Sequence, residues 1–244
     1  MKFKHKDLVS VVMLAKDERE SIEANNLCEK ILKYTNDFIV MDGNSQDNTR
    51  NICERFTNKV FADGGNGKGT AIRNSLKHVK NKITVFIDAD GSHDPDDIPK
   101  LVNPIIEENF DHVQGSRTTG GSDEYFGNLD KLLRVTGSHI ILILINKYFD
   151  VSLTDSQNGF RAIKSEVFRK LNMKEKITTI EQEMIIKTLK KGYSLHETPV
   201  HEYRRSHGDS KIKLRLVFFR YIYSVLKYLY FSLFFKVSKK YFSK

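Results

Sequence analysis

Five aspartates follow one short apolar run in this sequence. The run covers residues 83–87, and the segment FIDADGSHDPDD (86–97) contains Asp88, Asp90, Asp94, Asp96 and Asp97. If the run is a strand, Asp88 and Asp90 are residues i and i+2, so both side chains point to the same side. Two such carboxylates suit Mg²⁺ or Mn²⁺, which keeps positions for water and phosphate oxygens. A solvated turn or a helix cap is the alternative.

The other three aspartates have a different expected role. They stand in HDPDDIPKL, a pattern that is typical of the start of a helix. Carboxylates there accept hydrogen bonds from free backbone N–H groups and interact favourably with the helix dipole. We therefore expect Asp94, Asp96 and Asp97 to begin a helix.

A glycine-rich loop, GGNGKGTAIR (64–73), opens a second predicted helix. Its spacing matches neither a P-loop nor a dinucleotide-binding fingerprint. Close backbone approach, a helix N-terminus and the cations Lys68 and Arg73 nevertheless suit a phosphate or nucleotide ligand. An ordinary turn between a strand and a helix is the alternative.

These groups are positioned by an alternation of apolar runs and helix-like stretches. Strands are predicted at 8–14, 38–41, 59–62, 83–87 and 112–115, and helices at 21–34, 47–56, 69–79 and 96–108. The alternation predicts an α/β fold with a mostly parallel sheet and helices on both faces. A polar cluster follows each of the five strands, at the edge where such sheets bind ligands. The sequence therefore predicts one site at the carboxyl edge of the sheet.

Composition indicates a folded chain of one-domain size. The 244 residues are 39% hydrophobic and 29% charged, which is typical of a globular protein. Cys28 and Cys53 stand apart with no CxxC motif, so we expect reduced thiols rather than a disulfide framework or a zinc site. The N-terminal apolar run lacks a small-residue cleavage site and is predicted to be the first strand, not a signal peptide.

The net charge of +9 is concentrated near the C-terminus, where residues 204–244 contain many Lys and Arg but a single acid, Asp209. Such a segment predicts an anionic partner: membrane headgroups, a phosphorylated substrate or nucleic acid. Nucleic acid is the least expected of the three, because the aromatic residues lie in an apolar helix rather than on an exposed basic surface.

Two apolar segments in the second half could contact a membrane. The stretch 132–149, flanked by Arg134 and Lys147, fits a buried helix and an interfacial helix equally well. The stretch 216–235 is long enough to span a bilayer, but a central lysine costs on the order of 3 kcal/mol to insert. A polar stripe opposite its aromatic residues favours a helix that lies on the membrane; its members are Lys213, Arg220, Ser224 and Lys227.

Eight motifs occur in an order that resembles a known family. They are AKDERES, VMDGNSQDNT, GNGKGTAIR, FIDADGSHDPDDIPKL, GSR, DSQNGFRAI, EQEM and RRSHGDSKI. Together they resemble the family-2 glycosyltransferases with the Rossmann-like GT-A fold, and within them the dolichyl-phosphate mannose synthase group. The resemblance covers residues 8–212.

The resemblance implies an inverting, metal-dependent transfer of a hexose from a nucleotide diphosphate sugar to dolichyl or polyprenyl phosphate. GDP-mannose is the favoured donor, and a UDP-sugar is possible. It also implies a catalytic domain over 1–212 with the helix 132–149 inserted, a membrane-interface helix over 213–244, and a peripheral or monotopic location on the cytoplasmic face of a membrane. A GT-A enzyme with a saccharide acceptor and a non-catalytic nucleotide-sugar-binding membrane adaptor are the alternatives.

The resemblance also assigns roles residue by residue. The nucleotide-sugar residues would be Glu18, Asp42, Lys68, Arg73 and Asp88. The metal would be bound by Asp88 and Asp90, with Ser92 in the place where the mannose synthases have a glutamine. The acceptor phosphate would be bound by Arg117, Arg134, Arg205, Ser210 and Lys211. The sugar would contact Gly159, Phe160 and Arg161, and the residues expected to act in catalysis are Asp88, Asp90, Arg117 and Asp155.

The remaining candidates carry weaker signals. A phosphate monoester is largely ionised near pH 7, so its attack on the sugar needs no strong general base. This explains the lack of an obvious His–Asp pair, and His93, His139 and His207 are expected to be structural or peripheral, with a role for His93 at the adjoining metal motif as the alternative. Glu181 and Glu183 could order an acceptor loop, but acids on a helix surface are the more ordinary expectation for them. Leu14 and Lys16 replace a Pro and a Tyr of the family pattern near the nucleotide base.

Overall fold

The computed structural model describes residues 3–124, 129–205, 207 and 214–231. Of residues 129–135, 214–218 and 231 it describes the backbone alone. Within these ranges one sheet has the strand order β3-β2-β1-β4-β6-β5-β7. The strands are β1 (Val9–Ala15), β2 (Asp37–Asp42), β3 (Val60–Ala62), β4 (Ile83–Asp88), β5 (His112–Ser116), β6 (Arg161–Lys164) and β7 (Leu195–Pro199). The five strands predicted from the sequence are confirmed.

Strand β6 is the exception to the parallel arrangement. It pairs antiparallel with both β4 and β5, whereas the other neighbouring strands pair parallel. Its N-terminal end therefore lies at the carboxyl edge of the sheet, where Arg161 stands opposite Phe86 on one side and Gln114 on the other. Neither β6 nor β7 was predicted from the sequence.

Helices cover both faces of the sheet, as predicted. They are α1 (Arg19–Ala24), α2 (Leu27–Ile31), α3 (Thr49–Cys53), α4 (Lys68–Ser75), α5 (Ile98–Glu107), α6 (Arg117–Gly120), α7 (Leu129–Phe149), α8 (Ser165–Leu171), α9 (Ile180–Lys190) and α10 (Leu214–Leu226). The predicted helix over 21–34 is divided, since Asn26 has a left-handed backbone with φ of 50°. Before α5, the Asp94 side chain accepts a hydrogen bond from the Asp96 N–H at 3.1 Å, which confirms the predicted helix start.

Alternate residues of β1 point into two separate cores. Val11 packs with α1, α2, α3 and α5 on one face, and Val12 packs with α4, α8 and α9 on the other. Cys28 and Cys53 are buried in the first core with free thiols. The sheet is therefore fixed from both sides, and its carboxyl edge is left for polar side chains.

A third apolar cluster joins α7, α9 and α10. It contains Ile141, Ile145, Ile185, Val225 and Leu229. The opposite side of α7 is open, with Ile140 and Ile143 41% and 63% exposed. The described side chains of α7, from Thr136 on, are thus buried along one side and exposed along another. No described helix is both long enough and apolar enough to cross a membrane.

The outward face of α10 and of the π-helical turn after it (Lys227–Phe231) is mainly aromatic, with Arg220 exposed as well. We call the exposed residues Phe219, Tyr223, Leu226 and Tyr230 the α10 stripe. The predicted polar stripe is wrong at Ser224, which is buried because α10 packs on α9. Arg220 is exposed as predicted, and the Lys227 side chain is 42% exposed, with its ammonium 3.1 Å from the Glu175 carboxylate. Lys213 lies outside the described residues.

The third cluster gives a stability prediction. Leu229→Ala should lower the free energy of unfolding by about 2–5 kcal/mol, because it removes a fully buried side chain and leaves a cavity. Leu226→Ala, three residues earlier on the exposed side, should change it by less than about 0.5 kcal/mol. Urea denaturation followed by circular dichroism measures both, and equal losses would contradict the packing described.

Candidate active site

The carboxyl edge of the sheet holds one lysine between two carboxylates. The Lys68 ammonium, on the first turn of α4, lies 2.7 Å from Asp88 Oδ2 and 2.7 Å from Glu181 Oε1. Asp88 ends β4, and Glu181 lies in the first turn of α9. Burial disfavours the charged ammonium, but the two carboxylates outweigh it and raise the pKa of Lys68 above its ordinary value. Lys68 is therefore a permanent cation at this edge.

Gly159, just before β6, lies directly against this cluster. A Cβ at this position would stand 2.6 Å from the Lys68 ammonium, 2.7 Å from Asp88 Oδ2 and 3.2 Å from Glu181 Oε1. Any side chain would displace one of these groups, so the position requires glycine. The main chain of the NGF segment thus forms a wall of the site.

The second expected metal ligand is paired with a cation as well. Asp90 Oδ2 lies 2.9 Å from the Arg205 guanidinium, and Asp90 Oδ1 accepts hydrogen bonds from the Ser92 hydroxyl at 2.6 Å and the Ser92 N–H at 3.1 Å. Burial raises the pKa of Asp90, but Arg205 and Ser92 outweigh it and hold this pKa below its usual value. Asp90 is therefore ionised, and Ser92 lies beside it as predicted for a residue of the same site.

The donor atoms at this edge fit a hard divalent cation. Asp88 and Asp90 supply carboxylate oxygens from one strand end, and protein sites for Mg²⁺ commonly use one or two carboxylates plus substrate phosphates. The described residues include no group of three His, Cys, Asp or Glu side chains that could hold a metal alone. His93 Nε2 is buried without a hydrogen-bond partner among the described residues, and burial lowers the pKa of this imidazole.

Arg117 and Asp155, which the sequence placed in separate roles, form a buried pair. The Arg117 guanidinium binds both Asp155 oxygens, at 2.6 and 2.9 Å, and also lies 3.1 Å from Glu202. Burial raises the pKa of Asp155, but Arg117 outweighs it and holds this pKa below its usual value. The guanidinium predicted to bind the acceptor phosphate is thus occupied by two carboxylates, one of them on Glu202, which sequence reasoning missed.

The nucleotide end of the edge contains the predicted Glu18 and Asp42. Asp42 Oδ1 accepts a hydrogen bond from the Ser45 hydroxyl at 2.6 Å, and Glu18 accepts one from Ser21 at 3.2 Å. Asp63 directly follows β3 beside Asp42 and is a residue that the sequence reasoning missed. Burial, with a contribution from Asp42, raises the pKa of Asp63. Its position directly after a strand was the available signal.

Other predicted residues lie elsewhere. Arg73 donates to the Lys174 carbonyl at 2.8 Å and forms no described contact with the Lys68 cluster. Phe160 is in the core, and the Arg161 guanidinium donates to the main-chain carbonyls of Asn158 and Glu181. Of the three residues expected near the sugar, Gly159 lies against the charged groups of the cluster, and Arg161 reaches it through the main-chain carbonyl of Glu181.

Three acceptor-phosphate predictions are not described at the side-chain level. Arg134 lies on α7, but its side chain is outside the described part of the structure, and Ser210 and Lys211 lie outside the described residues altogether. Of the predicted acceptor residues, the structure therefore brings Arg205 to the Asp90 edge. The role of the others stays a prediction.

The expectation that Glu181 and Glu183 are surface acids is wrong. Both side chains are buried, at 5% and 0% exposure. Glu183 accepts hydrogen bonds from the N–H groups of Lys174 and Glu175 at 2.8 Å and pairs with Lys187 at 2.7 Å. It fixes the loop before α9, whereas Glu181 belongs to the Lys68 cluster.

Histidine–carboxylate pairs in the described structure lie on the surface. They are His201 with Asp123 at 3.0 Å and His207 with Glu20 at 3.3 Å; His201 is half-buried and the other three are exposed. Buried His93 donates to or accepts from Ser92 instead. The roles of His93 and His207 stay predictions.

The comparison with known proteins decides the family. Residues 10–171 match the family model described as "Glycosyl transferase family 2". The chain belongs to glycosyl transferase family 2. This confirms the resemblance drawn from the eight motifs, and it identifies the protein as a glycosyltransferase.

Two relatives of this family-2 transferase carry functional names. A UDP-N-acetylglucosamine–dolichyl-phosphate N-acetylglucosaminyltransferase of Methanococcus voltae is 29% identical, with 87% of this chain and 94% of the relative covered. A dolichol-phosphate mannosyltransferase of Pyrococcus furiosus is 27% identical, with 90% of this chain but 64% of the relative covered. The two names agree on a dolichyl phosphate and differ in the sugar.

Solved structures confirm the GT-A fold of this family-2 transferase. Glucosyl-3-phosphoglycerate synthase from Mycobacterium tuberculosis, in complex with Mn²⁺, UDP and glucosyl-3-phosphoglycerate, superposes with a TM-score of 0.72 over 93% of this chain and 81% of the other. The sequence identity is 21%, so this likeness concerns the fold alone.

The buried pair gives a prediction with a defined pH dependence. Asp155→Asn should lower the free energy of unfolding at pH 7 by about 3–5 kcal/mol, because it leaves Arg117 without its bidentate carboxylate. The folded pKa of Asp155 lies below its unfolded value, so the carboxylate stabilises the fold above about pH 4. That contribution is lost as pH falls through the folded pKa. Urea denaturation at pH 7 and pH 3 should show the two proteins converging in acid, and a constant difference would contradict this assignment.

Proposed function

We propose that this family-2 transferase moves a hexose from a nucleotide diphosphate sugar to a polyprenyl phosphate of the dolichyl type. The names of the two relatives support a lipid phosphate acceptor. The observation that carries the proposal is the attachment of α10 beside the site. The Tyr221 carbonyl accepts a hydrogen bond from Gln182 at 2.8 Å, and Gln182 is the neighbour of Glu181. The helix with the exposed α10 stripe is thus bonded to the turn that forms the candidate active site.

A lipid acceptor explains this juxtaposition. A polyprenyl chain must remain in an apolar environment while its phosphate reaches the sugar. The α10 stripe and Ile140 and Ile143 of α7 provide exposed apolar side chains, and α10 is hydrogen-bonded to the neighbour of Glu181. Helices with such faces lie in the membrane interface. We therefore place the enzyme at the cytoplasmic face of a membrane, peripheral or monotopic, with residues 1–212 as the catalytic unit and 213–244 as its membrane-interface helix.

The chemistry needs charge placement more than proton transfer. A phosphate oxygen of the acceptor attacks the anomeric carbon from the side opposite the nucleoside diphosphate, whose bond to that carbon breaks, so the configuration inverts. Mg²⁺ or Mn²⁺ held by Asp88 and Asp90 would supply charge neutralisation for the leaving diphosphate. Lys68 would bind the diphosphate from the other side, and Arg205 would orient the acceptor phosphate. That phosphate is already an anion near pH 7 and requires no base.

The alternatives lack such support. A saccharide hydroxyl must lose a proton during transfer and usually requires a positioned base, whereas an ionised lipid phosphate requires none. A saccharide acceptor would also not account for an apolar face beside the site. A membrane adaptor that only binds the nucleotide sugar would tolerate the loss of Asp88 and Asp90.

The transfer reaction tests the proposal directly. Purified protein is incubated with polyprenyl phosphate, Mg²⁺ or Mn²⁺ and either labelled GDP-mannose or labelled UDP-N-acetylglucosamine, and label is followed into the lipid phase. GDP-mannose is the donor favoured by the motifs, and UDP-N-acetylglucosamine is the donor in the name of the Methanococcus relative. One of the two donors should label the lipid. Transfer of the sugar to a free saccharide and not to the lipid would establish the saccharide-acceptor alternative.

Asp90→Ala should lower the rate of lipid labelling by about 100-fold or more, because the metal site loses one of its two carboxylates. Asp94→Ala is the matched control: this aspartate of the same segment caps the 3₁₀ turn Pro95–Asp97 and should leave the rate within about twofold. Full transfer by the Asp90 variant would refute the metal assignment.

The α10 stripe predicts membrane binding. Phe219→Ser combined with Tyr223→Ser should weaken binding to anionic vesicles by at least about tenfold. Each of these aromatic side chains would leave water for the membrane interface on binding, which contributes roughly 1.5–3 kcal/mol to the binding free energy. Vesicle flotation measures the bound fraction. Glu166→Ser with Lys170→Ser, an exposed pair on α8, serves as the control and should bind like the unmodified protein. Equal flotation of the two double variants would exclude the stripe as the docking surface.

A further inference from the structure

We propose that Glu181 is a positioning residue that keeps the Lys68 ammonium from neutralising Asp88, so that Asp88 can bind the divalent cation. This inference rests on the proposed function only in taking Asp88 as a metal ligand. It assigns a role to a glutamate that the family resemblance did not place at the donor site.

The geometry shows a competition for one cation. Lys68 lies at the same distance, 2.7 Å, from a carboxylate oxygen of Asp88 and of Glu181. One positive charge is thus shared by two negative charges, and the cluster keeps a net charge of −1. Without Glu181, the same ammonium would pair with Asp88 alone and the cluster would be neutral. Asp88 would then attract a second cation less strongly.

The position of Glu181 is fixed by its surroundings. Its side chain is 5% exposed, and its main-chain carbonyl accepts a hydrogen bond from the Arg161 guanidinium at 3.1 Å. It lies in the first turn of α9, where a carboxylate is favoured by the helix dipole. Gly159 closes the cluster on the remaining side, with no room for a side chain. Glu181 therefore holds Lys68 from a rigid element.

The arrangement suits a site that must bind a metal and a diphosphate together. When a cation binds Asp88, the ammonium retains Glu181 as its counter-ion and remains at the edge to contact the diphosphate. A site with Asp88 as the sole partner of Lys68 would have to break that ion pair for each metal ion bound. Glu181 thus serves as the counter-ion of the Lys68 ammonium, so that Asp88 can serve as a ligand of the divalent metal ion.

Binding of Mn²⁺ to the full-length protein tests this role without any turnover. Free Mn²⁺ is measured by electron paramagnetic resonance during titration, with and without UDP or GDP. Glu181→Gln, which keeps the shape but removes the charge, should weaken Mn²⁺ binding by about tenfold or more. Glu181→Asp keeps the charge and should restore most of the affinity. The control is Glu183→Gln. Glu183 is also buried, two residues along α9, but it accepts hydrogen bonds from the N–H groups of Lys174 and Glu175 and not from Lys68, so this substitution should leave the Mn²⁺ affinity unchanged.

A double-mutant cycle separates this role from a general structural one. In a Lys68→Met background no ammonium competes for Asp88, so Mn²⁺ alone should bind more tightly than to the unmodified protein. There, Glu181→Gln should weaken Mn²⁺ binding much less than it does when Lys68 is present. Circular dichroism shows whether each variant folds. If the single variant Glu181→Gln does not fold, the Mn²⁺ affinity of the double variant Lys68→Met/Glu181→Gln can still be compared with that of Lys68→Met.

Two results would overturn the inference: an unchanged Mn²⁺ affinity in Glu181→Gln, or an equally large loss in the Lys68→Met background. Absence of Mn²⁺ binding by the unmodified protein would overturn it too, because Asp88 would then not be a metal ligand. The lipid-transfer assay reports on the proposed acceptor independently. Mn²⁺ binding with the predicted cycle but no lipid labelling would refute the acceptor and leave the role of Glu181 intact.

Discussion

The sharing of one ammonium between two carboxylates is the interaction on which the candidate site depends. Lys68, Asp88 and Glu181 come from three distant parts of the chain, and their contacts fix the start of α4, the end of β4 and the start of α9 relative to one another. These charges are mostly shielded from water, so separating the three elements would leave them without partners and lower stability. Beside them, Arg205 balances Asp90. The edge is therefore strongly charged but nearly compensated, and it can accept an anionic donor together with a metal ion.

The antiparallel strand β6 makes this arrangement possible. In a wholly parallel sheet the segment before this strand would enter from the opposite edge, far from Asp88. Because β6 runs the other way, Gly159 reaches the carboxyl edge and closes the cluster. On the outer side, α9 connects the cluster to α10, whose stripe is exposed. The same fold thus links a polar donor site to an apolar surface, which is the combination that transfer from a soluble nucleotide sugar to a lipid requires.

Local patterns predicted much of this from the sequence. Short segments of the first half predicted five strands, and the position of Asp88 at the end of one of them predicted its place at the carboxyl edge, because both signals depend on neighbouring residues only. The common orientation expected from the i, i+2 spacing of Asp88 and Asp90 stays a prediction, since β4 ends at Asp88. Long-range partners could not be predicted. No residue near Arg117 in the sequence indicates that Asp155 and Glu202 occupy its guanidinium. The family resemblance alone implied that this guanidinium binds a phosphate. Similarly, Glu181 looks like a surface acid until the packing around α9 is known, and Ser224 looks exposed until α10 is placed against α9.

Equilibrium binding of nucleoside diphosphates tests the central claim most directly, namely that the Asp88–Asp90 edge binds the donor diphosphate through a divalent cation. Binding of UDP and of GDP would be measured by calorimetry in Mn²⁺ and again after its removal with EDTA, for the unmodified protein and for Asp88→Asn. The account predicts that one nucleotide binds strongly with Mn²⁺ and weakly without it, and that Asp88→Asn abolishes this dependence. Equal affinity with and without Mn²⁺, or an unchanged metal dependence in Asp88→Asn, would contradict it.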